Sequence, residues 1–230
     1  MTQIAYLIPA FQPSGRLIEL VEVLSKRADG PIVVVNDGSS ADGAPIFARL
    51  RQIPNVAVLE HAINLGKGAA IKHGINHLLV TYPDIKGIVT ADADGQHAVD
   101  DILRVAEALR RNPKVLVLGA REFGPQTPLR SKFGNNISKV VYRFLLGLKL
   151  QDTQTGLRGL PVDLARHSLA IRSNRYEFET EQLALSASLG VPIEEVPIRT
   201  IYENNNASSH FDPFLDSARI YFVVIRYALS

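Results

Sequence analysis

The chain has 230 residues, of which 46% are hydrophobic and 21% are charged, as is usual for a single folded domain. Its net charge of +2 is too small to indicate nucleic acid as a partner, and its lack of cysteine excludes disulfides and thiolate metal sites. No apolar run approaches the roughly 20 residues needed to cross a bilayer.

The N-terminal part of the chain alternates between short apolar strands and helical segments. Strands are predicted at residues 4–8, 32–35, 56–59 and 85–90, and helices at residues 17–28, 46–50 and 68–79. Pro9 begins a turn that we expect to end the first strand, since proline cannot donate a ladder hydrogen bond. Strands that alternate with helices of this length predict an α/β domain with a mostly parallel sheet.

The rest of the chain is predicted to hold further helices and two short strands. Helices are expected at residues 102–109, 133–150, 164–171, 177–187 and 214–229, and strands at residues 115–118 and 196–198. Pro197 places the last strand at an edge of the sheet, where a missing donor is tolerated. Residues 203–210 are polar and are predicted to form a loop.

Two carboxylates follow the fourth predicted strand. In an extended segment, residues two apart point to the same side, so Asp92 and Asp94 are expected to converge on one cation, and Gln96 repeats the spacing. Carboxylate oxygens suit Mg²⁺ or Mn²⁺, and Mg²⁺ usually takes only one or two protein carboxylates, which leaves room for substrate phosphates. A solvated turn is the alternative. An EF-hand does not fit, because its sixth-position glycine and twelfth-position glutamate are missing.

Other polar residues follow predicted strands in the same way. Asp37 comes after the second strand and Asn64 after the third, and parallel α/β sheets bind ligands outside the carboxyl ends of their strands. This coincidence favours a metal site at Asp92 and Asp94 over a solvated turn. Asp37 has two interpretations: it caps a local turn, or it accepts a hydrogen bond from the ring N–H of uracil or guanine.

The segment Gly66-Lys67-Gly68 matches phosphate-binding loops only in part. A P-loop requires Ser or Thr after the lysine and a further upstream glycine, and a dinucleotide fingerprint requires glycine where this chain has Ile71. Two interpretations stay open. Either the glycines loosen the start of a helix, or the helix N-terminus and Lys67 attract an anion.

Charged residues in the second half have structural and functional interpretations. Arg121 and Arg130 lie in a segment punctuated by glycine and proline, where they are either exposed to solvent or bind phosphate in bidentate fashion. The acidic positions Glu177, Glu179 and Glu181 are typical of a solvated helix face. No pair among the six histidines has the spacing of a metal site.

Four short motifs lie at residues 8–11 (Ile-Pro-Ala-Phe), 36–39 (Asn-Asp-Gly-Ser), 64–68 (Asn-Leu-Gly-Lys-Gly) and 91–96 (Ala-Asp-Ala-Asp-Gly-Gln). Together they resemble the family 2 glycosyltransferases of GT-A fold. Asp-Thr-Gln-Thr-Gly at residues 152–156, with the tail at residues 201–217, narrows the resemblance to polyprenyl-phosphate sugar transferases, which include dolichol-phosphate mannosyl- and glucosyltransferases. The resemblance implies an inverting enzyme that binds a nucleotide-diphosphate sugar and a divalent metal.

The resemblance also implies roles for single residues of the donor site. The residues predicted to contact the nucleotide sugar are Pro9, Phe11, Asp37, Lys67, Asp92, Gln154 and His210. Asp37 is expected at the nucleobase, with Pro9 and Phe11 beside it, and Asp92 near the ribose and diphosphate. Asp94 and Gln96 are expected to bind the Mg²⁺ or Mn²⁺.

A catalytic set follows from the same resemblance. It consists of Asp92, Asp94, Arg121, Arg130, Asp152 and Glu181. The two arginines match positions that handle the acceptor phosphate or the diphosphate. Asp152 belongs to the Asp-Thr-Gln motif, and Glu181 to the acidic helix that faces the sugar. Residues 1–211 are then one transferase domain, with a nucleotide-sugar half (1–118) and an acceptor half (119–211).

Three functions are compatible with these residues. A phosphate acceptor is already an anion and needs only steering, which the arginines favour, so we expect transfer from a UDP- or GDP-linked sugar to a polyprenyl phosphate, as in cell-envelope glycan synthesis. A sugar or protein hydroxyl would need a carboxylate base, and Asp152 and Glu181 keep this alternative open. A nucleotide-sugar-binding module without turnover is the third function, and the intact carboxylates and arginines argue against it.

Residues 212–230 are predicted to form a C-terminal apolar helix that is too short to span a bilayer. It either packs on the domain or on a second copy, or it lies in a membrane interface with Arg219 and Arg226 among the headgroups. The expected location is the cytoplasm, with the membrane-interface alternative making the protein peripheral at the cytoplasmic face.

Overall fold

The computed structural model describes residues 3–121, 147, 150–152 and 155–199. These residues form one seven-stranded sheet with helices between the strands. The strands are β1 (Ile4–Ala10), β2 (Ile32–Asn36), β3 (Val56–Glu60), β4 (Gly87–Thr90), β5 (Leu116–Arg121), β6 (Arg158–Pro161) and β7 (Ile193–Ile198). The helices are α1 (Arg16–Arg27), α2 (Ala44–Leu50), α3 (Lys67–Thr81), α4 (Val99–Arg111), α5 (Val162–Ser168) and α6 (Glu177–Ser188).

The strand order is β3-β2-β1-β4-β6-β5-β7, and every strand except β6 runs in the same direction. The predicted α/β class with a mostly parallel sheet is therefore confirmed. β7 lies at an edge, as Pro197 indicated. The sequence does not predict β6, because Arg158-Gly159-Leu160-Pro161 contains glycine and proline and has no apolar alternation. It is a strand because β4 and β5 pair with it on both sides.

The expectation that Pro9 ends the first strand is wrong, because β1 continues to Ala10. The backbone N–H of Tyr6 donates to the carbonyl of Pro31, next to β2. Backbone N–H groups alternate in direction along a strand, so the nitrogen of Pro9 faces β4 instead. The last β4 residue paired with β1 is Thr90, opposite Leu7. Pro9 therefore lies beyond the last residue pair of the β1–β4 ladder, and its missing N–H removes no hydrogen bond of that ladder.

Each face of the sheet carries its own apolar core. In β2, Ile32 and Val34 pack with α1, α2 and α4, whereas Val33 and Val35 pack with α3, α5 and α6. All four side chains are fully buried. A strand covered by helices on both faces needs apolar residues at every position, which explains its uninterrupted β-branched run.

No helix within the described residues combines the length and the hydrophobicity needed to cross a membrane. The helices predicted at residues 133–150 and 214–229 and the loop at residues 203–210 fall almost entirely outside those residues. The same is true of the membrane-interface hypothesis for residues 212–230, which stays a prediction.

The N-terminal ends of α3 and α6 meet in close contact. A Cβ added to Gly68 would lie 2.5 Å from the Cβ of Phe178 and 2.9 Å from the backbone carbon of Asn174. Gly66, with a φ of +103°, is equally tight against Asn174, whose carbonyl accepts from the N–H of Ala69 at 3.0 Å. The glycines around Lys67 therefore serve helix packing.

Gly68→Ala is expected to lower the free energy of unfolding by about 1–3 kcal/mol, because the new methyl group meets backbone and a ring carbon that cannot move aside. Urea denaturation followed by circular dichroism measures this change. Gly15→Ala is the matched control, since a Cβ there meets nothing within 4 Å and the expected change is within about 0.5 kcal/mol. Equal stability of the two variants would contradict the α3–α6 contact.

Candidate active site

The candidate site lies at the carboxyl ends of β1, β2 and β4, which share one edge of the sheet. The N–H of Asp37 donates to the carbonyl of Ala10 at 2.8 Å, and the N–H of Ala91 donates to Leu7 at 3.1 Å. These bonds extend the ladders one residue past the strands. Polar residues that the sequence predicted separately are thereby brought to a common edge, where such sheets bind ligands.

Asp92 is the centre of a hydrogen-bonded cluster at this edge. Its Oδ1 lies 2.7 Å from the Nζ of Lys67, and its Oδ2 lies 3.3 Å from the Nε2 of His97. Gly156 packs directly on this carboxylate, and a side chain there would overlap it. The hydroxyl of Thr90 donates to the carbonyl of Gly156 at 3.0 Å. The fold thus joins the Asp-x-Asp motif to the distant Asp-Thr-Gln-Thr-Gly motif.

Lys67 bridges two carboxylates from different elements. Its Nζ lies 2.7 Å from Asp92 Oδ1 and 2.9 Å from Oε2 of Glu179 on α6. Burial lowers the pKa of Lys67, but the two carboxylates outweigh this effect and raise it above its ordinary value. Burial likewise raises the pKa of Asp92, and Lys67 and His97 together hold it well below its ordinary value. Lys67 and Asp92 are therefore both charged at neutral pH.

Asp94 lies in a turn rather than in the extended segment that the sequence predicted. Gly95 has a φ of +78°, and Asp94 Oδ1 accepts from the N–H of Gln96 at 2.9 Å. Asp92 and Asp94 are nonetheless close enough to interact, because burial and then the charge of Asp92 raise the pKa of Asp94. The two carboxylates thus repel each other even though Lys67 lies against Asp92.

The residues present fit a divalent cation. In the part of the chain that the structure describes, no three His, Cys, Asp or Glu side chains form a metal-binding group. Mg²⁺ requires less, since one or two carboxylates and substrate phosphates suffice. A cation between Asp92 and Asp94 would relieve their repulsion. Within the described part of the chain, the buried Nδ1 of His97 has no hydrogen-bond partner, so this part of the polar cluster can accept a further group.

Asp37 is buried and bonded to the loop that follows β3. Its Oδ1 accepts from the N–H of Leu65 at 2.9 Å and lies 2.7 Å from Nδ1 of His61, while Oδ2 accepts from the N–H of Gly66 at 2.9 Å. Both sequence interpretations of this residue remain, because capping the loop does not exhaust its acceptor sites. Of its predicted neighbours, Pro9 is buried in β1 and Phe11 is half-buried beyond it.

Arg121 and Asp152 form an ion pair at the end of β5. The Nε of Arg121 donates to Oδ2 of Asp152 at 2.6 Å, and an Nη donates to Oδ1 at 3.0 Å. Asp152 is completely buried, and the N–H groups of Gln151 and Asp152 donate to Glu195 on β7. This geometry makes Asp152 a support that orients Arg121.

The two acidic residues of α6 have different surroundings. Glu181 is 1% exposed and accepts a hydrogen bond from Ser173. Glu179 instead contacts Lys67, and its buried Oε1 has no hydrogen-bond partner among the residues that the structure describes. Arg158 of β6 supports this end of α6 by donating to the carbonyl of Glu179 at 2.7 Å. The interpretation of Glu179 as part of a solvated helix face is wrong, because its side chain is only 14% exposed and pairs with Lys67. His97 and Arg158 were not predicted as site residues, and only the position of His97 beside the Asp-x-Asp motif could have indicated it.

Three predicted site residues, Arg130, Gln154 and His210, lie outside the described residues. Their roles stay predictions, as do the roles assigned to the other site residues. The structure does bring Asp92, Asp94, Lys67 and the segment around Asp152 to one edge of the sheet, as a shared site requires.

The comparisons with known proteins agree with this arrangement. Residues 6–169 match the family described as glycosyl transferase family 2, and the chain belongs to that family. The protein is therefore a glycosyltransferase, as the motifs predicted. A solved structure, glucosyl-3-phosphoglycerate synthase from Mycobacterium tuberculosis with Mn²⁺, UDP and phosphoglyceric acid, has a TM-score of 0.70 at 16% identity over 99% of this chain and 78% of that chain. At this identity it shows the fold alone, which is the predicted GT-A fold.

Two relatives narrow the resemblance. The chain is 31% identical to the UDP-N-acetylglucosamine–dolichyl-phosphate N-acetylglucosaminyltransferase of Methanococcus voltae over 214 residues, which is 85% of this chain and 84% of the relative. It is 33% identical to the undecaprenyl-phosphate mannosyltransferase of Micrococcus luteus over 174 residues, which is 72% of this chain and 70% of the relative. The predicted resemblance to polyprenyl-phosphate sugar transferases is confirmed.

Lys67→Met is expected to lower the free energy of unfolding at pH 7 by roughly 2–3 kcal/mol, because Asp92 and Glu179 lose their common counter-ion. The loss is smaller than for a fully buried pair, since Asp92 is 29% exposed. The depressed pKa of Asp92 stabilises the fold above about pH 4, and the raised pKa of Lys67 stabilises it below about pH 10. The difference from wild type is therefore full between these values and narrows toward pH 3.

Urea denaturation at pH 7 and pH 3 tests this expectation, with Lys26→Met as the matched control. Lys26 is exposed on α1, so its replacement is expected to change stability by less than about 0.5 kcal/mol at either pH. A Lys67→Met variant as stable as this control at pH 7 would contradict the bridging role.

Proposed function

We propose that this glycosyltransferase transfers a sugar from a UDP- or GDP-linked donor to a polyprenyl phosphate, with inversion at the anomeric carbon and with Mg²⁺ or Mn²⁺ as cofactor. The observation that carries the proposal is the bidentate pair of Arg121 with a completely buried Asp152. In this pair, Arg121 is a cation held in a fixed orientation, and Asp152 is bonded to it and so does not serve as a base. The names of the relatives, which act on dolichyl or undecaprenyl phosphate, support the same acceptor class.

The donor would lie across the carboxyl ends of β1, β2 and β4. Asp37 would accept from the ring N–H of the nucleobase, with Pro9 and Phe11 beside the ring. Asp92 would lie near the ribose and diphosphate. Lys67 already forms an ion pair with Asp92. It would therefore be close enough to contact the negatively charged diphosphate when the donor binds.

Asp94 and Gln96 would hold the divalent cation, which when bound neutralises the charge that develops on the departing diphosphate. Solved structures of the same fold contain Mn²⁺ or Mg²⁺ together with UDP. Burial and then the charge of Asp92 raise the pKa of Asp94, and this unfavourable charge gives the chain its own reason to bind a cation there.

The acceptor is proposed to be a phosphate because the two carboxylates that a hydroxyl acceptor would use as a base, Asp152 and Glu181, are poorly placed for that role. Asp152 is completely buried and bonded to Arg121, and Glu181 is 1% exposed and bonded to Ser173. A hydroxyl acceptor would need such a carboxylate within hydrogen-bond reach. A phosphate monoester is an anion near neutral pH and needs cations to steer it, which Arg121 and Arg130 would provide.

In the proposed reaction, a phosphate oxygen of the lipid attacks the anomeric carbon of the sugar. The bond from that carbon to the diphosphate oxygen breaks, and the nucleoside diphosphate departs with the electron pair. One displacement inverts the anomeric configuration. Charged side chains held in fixed positions before the reaction contribute because they need not reorganise as the charge moves.

We further propose that the reaction takes place at the cytoplasmic face of a membrane, where a polyprenyl phosphate is embedded. Residues 212–230 would lie in the interface there, or would pack on the domain or on a second copy. The division into a nucleotide-sugar half and an acceptor half belongs to this proposal as well.

Asp94→Asn is expected to raise the melting temperature of the metal-free protein at pH 7. The folded state holds the proton of Asp94 more tightly than the unfolded state does, so stability falls as the pH rises through the carboxyl range and the charge is a cost at pH 7. In wild type, Mn²⁺ at a hundredfold excess over its Kd should add about 2.7 kcal/mol, or roughly 5–10 °C. The variant should lose this gain and its transferase activity.

Thermal melts with Mn²⁺ and with a chelator measure both effects. Asp84→Asn is the matched control, because Asp84 is exposed just before β4 and its replacement should leave the response to Mn²⁺ unchanged. A normal response to Mn²⁺ in Asp94→Asn, or full transfer by chelated wild type, would contradict the proposed metal site.

The acceptor is tested by comparing polyprenyl phosphate with the free polyprenol of the same chain length. Radiolabelled UDP- and GDP-sugars are supplied with Mn²⁺, and we expect labelled lipid only from the phosphate. Transfer to the polyprenol or to a sugar hydroxyl would favour the hydroxyl alternative. Tight donor binding without any transfer would favour a binding module.

A further inference from the structure

We propose that His61 is a positioning residue for the donor nucleobase: it orients the carboxylate of Asp37, and His73 holds it in place from its other ring nitrogen. This inference rests on the proposed function, in which Asp37 accepts from the ring N–H of the base. It adds two histidines that no sequence motif singled out.

The carboxylate of Asp37 is almost saturated with hydrogen bonds. Its Oδ1 accepts from Leu65 N–H and contacts His61 Nδ1 at 2.7 Å, and its Oδ2 accepts from Gly66 N–H. A carboxylate offers about four acceptor sites, so the hydrogen bonds from the described residues leave one site on Oδ2. The three donors therefore fix the direction in which Asp37 can accept a further N–H.

His61 is carried to this point by the sheet itself. Its N–H donates to the carbonyl of Asn36 at 2.9 Å, which extends the β2–β3 ladder by one residue. Its side chain is 8% exposed, and the side chain of Asp37 is 4% exposed. A charged carboxylate with so little access to water needs protein donors, and His61 supplies one of them.

His73 on α3 completes the chain of contacts. Its Nδ1 lies 3.1 Å from Nε2 of His61, and the two rings stack with centroids 5.1 Å apart and planes within 8°. Burial, then His61 and His77, lower the pKa of His73, which favours its neutral form. The contact with Asp37 requires His61 Nδ1 to carry a proton, and the other ring nitrogen of His61, Nε2, shares a hydrogen bond with Nδ1 of His73.

The arrangement fixes the ring plane of His61 and the ring nitrogen that faces Asp37. The carboxylate of Asp37 contacts Nδ1 of His61, His73 contacts Nε2, and the ring of His73 also stacks on the ring of His61. A ring held in this way keeps the carboxylate of Asp37 in one orientation through the contact with Nδ1. The expected consequence is tight binding of a nucleobase through the one remaining acceptor site.

The experiment measures Kd values of UDP and GDP with Mn²⁺ by calorimetry, for wild type and variants of the full chain. His61→Ala should weaken the better-bound nucleotide about ten- to hundredfold, as expected for one hydrogen bond to a charged group. His61→Asn should recover most of this loss, because its amide nitrogen is as many bonds from Cα as Nδ1. His61→Gln should not, because its amide nitrogen corresponds to Nε2.

Nucleotides methylated on the ring nitrogen separate positioning from a merely structural role. N3-methyl-UDP and N1-methyl-GDP lack the proton that Asp37 would accept, so wild type and His61→Ala should bind the relevant analogue equally weakly. If His61→Ala weakens the methylated and unmethylated nucleotides by the same factor, His61 only holds the loop and the inference is wrong.

His73→Phe provides a second test if His61→Ala does not fold. Phenylalanine keeps the stacked ring but cannot form the hydrogen bond with Nε2 of His61, so binding of the unmethylated nucleotide alone should weaken, by less than in His61→Ala. Unchanged binding in His73→Phe and His61→Ala, with a loss in Asp37→Asn, would overturn the inference and leave the proposed function standing. If wild type bound neither UDP nor GDP, the proposed function would fail, and the inference with it.

Discussion

The site depends on the two ion pairs that the ammonium group of Lys67 forms. This group lies between Asp92, which follows β4, and Glu179 on α6, and so neutralises two carboxylates that burial would otherwise make costly. Gly66 and Gly68 bring the N-terminal ends of α3 and α6 close enough for a side chain of this length to reach both. The backbone contact and the charge contact therefore require each other.

Other carboxylates along this edge of the sheet are also held by hydrogen-bond donors. Asp37 is paired with His61 and two backbone N–H groups, and Asp152 is paired with Arg121 in bidentate fashion. Each carboxylate is oriented before a substrate arrives, which is how charged groups favour a reaction in which charge moves. Asp94 differs, because burial and a neighbouring carboxylate raise its pKa instead of stabilising its charge. A site that is unfavourable without a cation and favourable with one is suited to a metal.

The chemistry of a phosphate acceptor suits this pattern better than that of a hydroxyl acceptor. A base must be able to reach the substrate and take up a proton, whereas the buried carboxylates of Asp152 and Glu181 are bonded to partners within the protein. Carboxylates in such positions orient cations, and cations are what an anionic acceptor and an anionic leaving group both need.

Sequence alone determined the alternation of strands and helices, the parallel sheet and the placement of Asp37 and Asp92 at strand ends, because these follow from local periodicity. Only the tertiary structure decided that β6 is a strand and that β1 continues through Pro9, because both depend on where neighbouring strands begin and end. It also decided the pairings: Lys67 with Glu179 spans 112 residues and Arg121 with Asp152 spans 31. A local sequence pattern indicates that a side chain is buried or charged. The partner of that side chain depends on how distant elements of the fold pack together.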